Sequence, residues 1–482
     1  MKNLKIVLRD TGAVLIATGV ITIFVNFVAA SFREYSAIPW IAATSLTFFI
    51  VGGLFRIAGK CDDEPKIRHA MITAACSWLI ISLISTIPFH YITGLDFLSS
   101  LFESVAGWTG TGLTMIAEPS GLSRTIQFWR SFIQWIGGVG VIVLTLVVLA
   151  RPGTGSFTLY RSEAREDKIH PSIISTVKTI WWIFLLYTFI AIAVLFALGM
   201  PWWEAINHAM TGLATGGFSV TDDSMASYST VLQFIMVPIM IAGAIAFSTH
   251  YEFLRGRIKN FLKDVQTRAL LALIALLSLA LAYINFNDGT YGTFLESLRY
   301  SGFQFASALT CTGFSTTDVS IWVGEAKLLL ALAMIVGGAA GSTAGGIKLF
   351  RVFLLTKGVG WKIRSIFLPA KSAFPHRLGG KVLKPDEATE EISEAAIVSF
   401  LWMILLIIGV FVTLHVTHAS VEDAIFEVCS AQGNVGLSVG ITGIGMDPVA
   451  KFMLILNMWV GRLEIIPILV LIRAVLKGGR IF

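Results

Sequence analysis

The sequence predicts an all-α polytopic membrane fold: a leading helix pair, then four repeats of helix, half-membrane helix, loop and helix in pseudo-fourfold arrangement. Three observations lead there. Of 482 residues, 55% are hydrophobic and only 14% charged, against about 25% charged in an ordinary soluble domain, so lipid must face most of the surface. Apolar runs near the ~20 residues needed to cross hydrocarbon lie at about 10–31, 38–58, 70–92, 126–150, 174–199, 228–249, 266–286, 326–355, 395–417 and 450–475. A glycine, a bulky apolar residue and a hydroxyl residue recur as Gly112-Leu113-Thr114, Gly217-Phe218-Ser219, Gly313-Phe314-Ser315 and Gly436-Leu437-Ser438, roughly every 100 residues.

The leading pair occupies residues 1–60, and the repeats 61–152, 153–257, 258–370 and 371–482. The first apolar run is too long for a signal-peptide core, so it is expected to stay as a helix although Ala29-Ala30-Ser31 resembles a cleavage site. Within each repeat, the first long run is followed by a shorter amphipathic helix at about 95–108, 202–214, 293–310 and 421–433. These are too short and too polar to cross the bilayer. The glycine loop and the second long run come next.

Basic residues collect in alternate loops: Arg56, Lys60, Lys66 and Arg68; Arg151, Arg161, Arg165 and Lys168; Arg255, Arg257, Lys259, Lys263 and Arg268; Lys357, Lys362, Arg364, Lys371, Arg377, Lys381 and Lys384; then Arg473, Lys477 and Arg480. The positive-inside rule makes that side cytoplasmic, with the N-terminus inside and the glycine loops opening outward. The net charge of +6 is small and gives no sign of nucleic-acid binding. Cys61, Cys76, Cys311 and Cys429 show neither metal-ligand nor disulfide spacing. All four repeats point the same way, which suits a pore more than an inverted-repeat carrier.

The loops have the composition of an ion-selectivity filter. A dehydrated cation needs oxygens in place of its water, and main-chain carbonyls supply them where an extended loop turns them inward. Glycine allows the backbone angles and close approach this requires. Before the glycines Gly112, Gly217, Gly313 and Gly436 stand Gly110-Thr111, Thr215-Gly216, Cys311-Thr312 and Asn434-Val435. Each layer then offers one carbonyl per repeat. The hydroxyls of Thr111, Thr215 and Thr312 either add ligands or brace the loops. Nine positions before each glycine lies a polar residue, Glu103, His208, Gln304 or Glu427, read as a brace of the short helix. The alternative for the glycines and threonines is close helix packing.

A second stretch is Gly337-Gly338-Ala339-Ala340-Gly341-Ser342-Thr343-Ala344-Gly345-Gly346. Each interior glycine costs a helix about 1 kcal/mol, so the helix is expected to break here, below the filter. The alternative is a glycine-rich packing face. Lys348 follows, either repelling a passing cation or anchoring the segment. In the last run, Asn457, Arg462 and Glu464 interrupt apolar residues. A central arginine costs about 2.5–3.5 kcal/mol on insertion scales and should face the pore or a partner. Glu464, two residues away, lies on another helix face. The glycines of Gln134-Trp135-Ile136-Gly137-Gly138-Val139-Gly140 are read as packing, with gating as the alternative.

With these motifs the chain resembles the Trk/Ktr/HKT superfamily of potassium transporters, and TrkH above all, across essentially its whole length. The resemblance implies a potassium-channel-like fold and K⁺ uptake across the plasma (inner) membrane. It implies K⁺ at the filter residues and, because all four filter positions are glycine, a preference for it; a first-repeat serine goes with Na⁺ permeation in some plant members. Segment 337–346 becomes an intramembrane gating loop and Arg462 a positive barrier. A homodimer and a cytoplasmic nucleotide-binding RCK ring of TrkA type are implied partners. Gly110 departs from the family pattern and should leave the first loop less braced. No catalytic or nucleotide-binding motif is present, so neither enzymatic activity nor a cofactor is expected. An H⁺- or Na⁺-coupled symporter and a non-transporting assembly subunit are the alternatives.

Overall fold

The structure, a computed structural model, describes residues 2–149, 173–369, 375–378, 381–383 and 385–477. Of the basic-loop residues, Arg151, Arg161, Arg165, Lys168, Lys371, Lys384 and Arg480 lie outside these.

The leading pair is α1 (Lys2–Ser31) and α2 (Ile38–Ala58). The two cross where only glycine fits: a Cβ on Gly12 would stand 2.6 Å from Gly52 O, and one on Gly52 would stand 2.9 Å from Gly12 O. The first unit follows as α3 (Ile67–Ile84), α4 (Thr86–Thr93), α5 (Phe97–Thr109) and α6 (Arg124–Leu149). The second is α7 (Ile173–Ala197), α8 (Trp202–Leu213), α9 (Thr230–Ala244) and α10 (Phe247–Leu254). After the short α11 (Ile258–Lys263), the third is α12 (Val265–Asn287), α13 (Phe294–Leu309), α14 (Gly324–Val336) and α15 (Leu349–Phe367). A small antiparallel hairpin, β1 (His376–Leu378) and β2 (Lys381–Leu383), pairs Arg377 with Val382. The fourth unit is α16 (Pro385–Thr417), α17 (Val421–Gln432), α18 (Pro448–Leu463) and α19 (Ile466–Leu476).

Among the described residues, six helical stretches are long and apolar enough to cross a membrane, or up to eight with two bent pairs. Adding α6 and the α14–α15 pair accounts for the ten apolar runs. Three of these runs are not single rods. Helices α9 and α10 meet at 107°, and α18 and α19 at 111°. The first bend falls at Ile245 and Ala246, both extended. The second falls at Glu464 and Ile465, both at positive φ (60° and 64°), Glu464 in the left-handed helical region and Ile465 outside it. The third break is the irregular segment 337–348 between α14 and α15. The break at 337–348 is the one the glycine-rich segment predicts, whereas nothing in Ile245 and Ala246, as apolar as their neighbours, announces the first bend.

The short helices α5, α8, α13 and α17 sit inside the bundle, where the bulky residues of the four motifs, Leu113, Phe218, Phe314 and Leu437, are buried. Adjacent units are tied at equivalent points. The fourth residue of each following helix, Gln127, Gln233, Lys327 or Lys451, reaches the short helix of the next unit. Trp203 Nε1 donates to Gln127 Oε1 (2.7 Å) and Arg299 Nη2 to Gln233 Oε1 (2.8 Å). Lys327 Nζ pairs with Asp423 (2.7 Å), and Lys451 Nζ donates to Ser99 Oγ (2.9 Å), closing the circuit. All four latch residues are themselves buried, where an unpaired polar group is costly, although Arg299 and Asp423 on the partner helices are part-exposed.

Candidate functional site

Each short helix ends in the same turn. The residue before the motif glycine bonds back to the helix: Thr111 N to Ala106 O (2.8 Å), Gly216 N to Thr211 O (2.8 Å), Thr312 N to Ser307 O (2.9 Å) and Val435 N to Ser430 O (2.9 Å). Such six-residue closures need a left-handed residue. Gly110, Thr215, Cys311 and Asn434 supply it, with φ of 67°, 51°, 58° and 54°. An L-residue held there costs roughly 1–2 kcal/mol; glycine escapes that cost. Gly110 is therefore the unstrained member of the set. The expectation that its loop lacks bracing meets a substitute: Thr111 Oγ1 bonds Thr109 Oγ1 (3.0 Å) and accepts from Asn434 Nδ2 (3.0 Å). The other loop hydroxyls also brace: Thr215 Oγ1 donates to Ala214 O, and Thr312 Oγ1 contacts Thr310 Oγ1.

Behind the loops, the polar residue nine positions before each glycine meets the hydroxyl two positions after it. Glu103 accepts from Thr114, His208 Nε2 lies 2.9 Å from Ser219 Oγ, Gln304 Nε2 donates to Ser315 Oγ (2.7 Å), and Ser438 Oγ donates to Glu427 Oε1 (2.7 Å). All four side chains are fully buried. They serve the loops' own backbone as well, as when Glu427 accepts from Val439 N and Thr442 N. Arg130, equally buried, pairs with Glu103 (3.4 Å), donates to Thr114 Oγ1 and Ser219 O, and lies over the Phe218 ring.

The four glycines close on one another. A Cβ on Gly112 would stand 3.0 Å from Gly216 O and 3.2 Å from Gly436 Cα. One on Gly217 would collide with Thr312 O, one on Gly313 with Val435 O, and one on Gly436 with Gly112 Cα. Gly217, Gly313 and Gly436 have φ of 76°, 85° and 119°, whereas Gly112 is not left-handed. In the layer before the glycines, three of the four carbonyls already accept a hydrogen bond, and each keeps a second lone pair. Thr111 O and Gly216 O both accept from Gln134 Nε2, and Val435 O accepts from Gly112 N (3.0 Å).

Segment 337–348 lies against the inner ends of the short helices. Thr343 Oγ1 reaches Leu213 O, Gly243 O and Thr215 Oγ1 (3.0 Å). Ala339 N donates to Ala244 O, and Phe247 N to Gly341 O. The segment closes on its own neck, where a Cβ on Gly337 would strike Gly345 O. Gly338 lies against Ala244, Gly345 against Gly433 O, and Gly346 is left-handed. Ser342 Oγ caps back to Ala339 O (2.6 Å). Arg462 donates to Thr343 O (2.9 Å), Gly137 O (2.8 Å) and Gly138 O (3.1 Å), and its Nε is buried without a partner. A Cβ on Gly110 would stand 3.8 Å from Arg462 Nη1, so the guanidinium lies directly under the first loop. Glu464 pairs instead with Lys348 (3.4 Å) and Arg351. A cavity of about 20 Å³ between Gly138, Ser342, Ala344, Gly461, Arg462 and Glu464 is large enough for a water.

Gln127, Arg130, Lys327 and Lys451 were not singled out by sequence reasoning, and Gln134 only as part of a glycine motif. For Gln127, Arg130 and Gln134 the signal was present as polar residues spaced three, four and seven apart on one face of an apolar helix; for Lys327 and Lys451 it was a lone cation near the start of an apolar helix.

A family model described as TrkH, cation transport protein, matches residues 37–482. The chain is 35% identical to an uncharacterized cation transporter of Methanocaldococcus jannaschii, over 98% of this chain and 95% of the relative. It is 30% identical to the Trk system potassium uptake protein TrkH of Salmonella typhimurium, over 97% and 98%. Its fold matches the crystal structure of the potassium transporter TrkH from Vibrio parahaemolyticus with a TM-score of 0.84 at 26% identity, covering 97% of this chain and 98% of that one.

The brace behind the first loop makes a stability prediction. Glu103→Ala leaves Arg130 buried and unpaired and should lower unfolding stability by about 3–5 kcal/mol, read as a fall in the melting midpoint of detergent-solubilised protein. A midpoint equal to that of the parent would show that Glu103 does not hold this corner.

Proposed function

The chain belongs to the TrkH family of cation transport proteins, and on that premise we propose that it takes up K⁺ through a selectivity filter built from its four glycine loops. The observation that carries this reading is the mutual approach of Gly112, Gly217, Gly313 and Gly436, each from a different unit, at the ends of four inward-pointing short helices. The partial negative charge at those helix C-termini favours a cation. Carbonyls of the loops then replace its water.

Below the filter, segment 337–348 and Arg462 form the gate. A guanidinium about 5 Å from a K⁺ at an effective dielectric near 20 opposes it by about 3 kcal/mol. Arg462 is also the bolt, because its three carbonyl acceptors belong to the gate segment and to α6. Lys348 acts as an anchor through Glu464. Opening has to withdraw Thr343 from the inner ends of α8 and α9 and release Arg462 from it.

The protein lies in the plasma (inner) membrane with the basic loops and N-terminus on the cytoplasmic side. Entry of K⁺ is driven by the membrane potential, at about 2.3 kcal/mol per charge per 100 mV. As the resemblance implies, two chains associate with two separate pores, and a cytoplasmic RCK ring of TrkA type docks on the basic face to control the gate. Coupling to H⁺ or Na⁺ would need an ionisable group along the path. The acids of this region, Glu103, Glu427 and Glu464, are engaged in braces and ion pairs.

Flux through purified protein in liposomes tests the reading. A chain that carries no K⁺ would be an assembly subunit, and fixed-ratio H⁺ or Na⁺ movement would make it a symporter. Gly112→Ser should lower K⁺-over-Na⁺ discrimination about tenfold, which is ~1.4 kcal/mol. It is the one of the four filter glycines without a positive φ, and the 3.0 Å approach of a Cβ to Gly216 O asks for a shift of only a few tenths of an ångström, so the variant should fold; an unchanged ratio would count against the filter. Arg462→Ala should raise K⁺ flux several-fold without the partner ring, as should shortening 339–345. Flux that stays closed and partner-dependent in both would remove the gate assignment.

A further inference from the structure

The four units are equivalent at the outer latch and unequal two turns further in. Seven residues beyond Gln127, Gln233, Lys327 and Lys451 stand Gln134, Met240, Met334 and Met458, all fully buried. Seven residues is about two helical turns, so these four lie on the same helix faces as the latches, at the level of the loops. Midway, Arg130 corresponds to Met236, Leu330 and Leu454, again all buried. Three of the four walls behind the loops are therefore apolar at both inner positions. The wall provided by α6 is polar at both.

Gln134 uses its whole amide on two neighbouring loops. Its Nε2 donates to Thr111 O (3.2 Å) of the first and to Gly216 O (2.7 Å) of the second. Its Oε1 accepts from Phe218 N (3.0 Å). A Cβ on Gly216 would stand 2.5 Å from that same Oε1, so the glycine there makes room for the amide. Both carbonyls belong to the layer immediately before the filter glycines. Methionine has nearly the same length and shape as glutamine but neither donor.

We infer that Gln134 is a selectivity-positioning residue. Its side-chain amide fixes the spacing of the Thr111 and Gly216 carbonyls and so ties the first loop to the second from the following helix, a tether that Met240, Met334 and Met458 at the equivalent positions cannot supply. Cation discrimination depends on how firmly carbonyls keep their places as ions of different radius pass. A planar amide bonded at three points restrains them, and a thioether, soft and rotatable, does not. Gln134 acts through the loops and touches no ion. The inference rests on the filter reading above and adds to it which seam sets the discrimination.

The test is Gln134→Met, which makes the fourth wall like the other three. K⁺ and Na⁺ fluxes are measured on purified protein in liposomes, beside the parent and Gly112→Ser. The expected result is a folded, K⁺-conducting protein whose K⁺-over-Na⁺ ratio falls about fivefold to tenfold, the scale of one or two lost hydrogen bonds. Gln134→Asn, which keeps the amide but is one methylene too short to span both loops, should fall in the same direction. Gln127→Met breaks only the outer latch and should change the melting midpoint while leaving the ratio alone. If Gly112→Ser shifts the ratio and both folded Gln134 variants stay within twofold of the parent, the inference fails and the filter stands. If neither site shifts the ratio, both fail. If neither Gln134 variant folds, or Gln127→Met shifts the ratio equally, Gln134 is a general packing residue and the inference is overturned.

Discussion

Unhelical backbone at membrane depth is the constraint on which the rest of this structure depends. In hydrocarbon every exposed N–H and C=O costs free energy, so loops at that level persist only where protein encloses them or water reaches them. Here four loops and a fifth irregular segment, 337–348, occupy the centre of the bundle. Their polar groups are served by side chains that approach from the outside: Glu103, His208, Gln304 and Glu427 from the short helices, Gln134 and Arg130 from α6. The lipid-facing shell is simple by comparison, long apolar helices and little else. The chemistry of the chain is concentrated where the backbone departs from the helix.

Repetition and its breaking have different physical origins. The left-handed turn, the glycine, the buried apolar residue and the brace recur in every unit because each must solve the same backbone problem with the same geometry. The glycines cannot vary independently, since each would place a Cβ against the next loop. Gly112 is the mildest case, with an ordinary φ and a tight 3.0 Å approach to Gly216 O where the other three would collide. Between units the outer latches share positions and change chemistry, from amide to ammonium, because only their reach is constrained.

Much of this was legible in the sequence, and the reasons for the omissions are specific. The membrane class, the ten apolar runs and the four motif copies follow from composition and spacing, which survive without any knowledge of contacts. The brace residues were legible because a polar side chain at a constant offset from a glycine in four copies is hard to produce by chance. The bends after Ala244 and Leu463 were not, because nothing in Ile245 or Ile465 distinguishes a bent apolar run from a straight one. Gln134 was hidden for another reason: its significance lies in being unlike Met240, Met334 and Met458. That comparison becomes visible only after the helices are aligned by their first turns and the buried face of each is known. A hairpin at 376–383 also escaped an all-α reading, since short exposed strands leave no hydropathy signal.

The three broken helices belong together. The breaks at 245–246, 337–348 and 464–465 are adjacent in space: Phe247 N bonds Gly341 O, and Lys348 pairs with Glu464. A straight α-helix satisfies its own backbone and has little reason to release a neighbour. A helix interrupted below the glycine loops exposes carbonyls and amides, and these can be exchanged between partners at small net cost, because a bond lost to one is recovered with another or with water. Arg462 sits at the centre of that exchange with an unpartnered Nε and three carbonyl acceptors but no acid. A carboxylate there would lock the guanidinium in place, since splitting a buried ion pair leaves an uncompensated charge behind. Neutral carbonyls hold it more lightly, and the acid that could have served, Glu464, is occupied by Lys348 and Arg351. The arrangement keeps a positive charge beneath the first loop without tying it to an acid, and the gate proposed above asks for that combination.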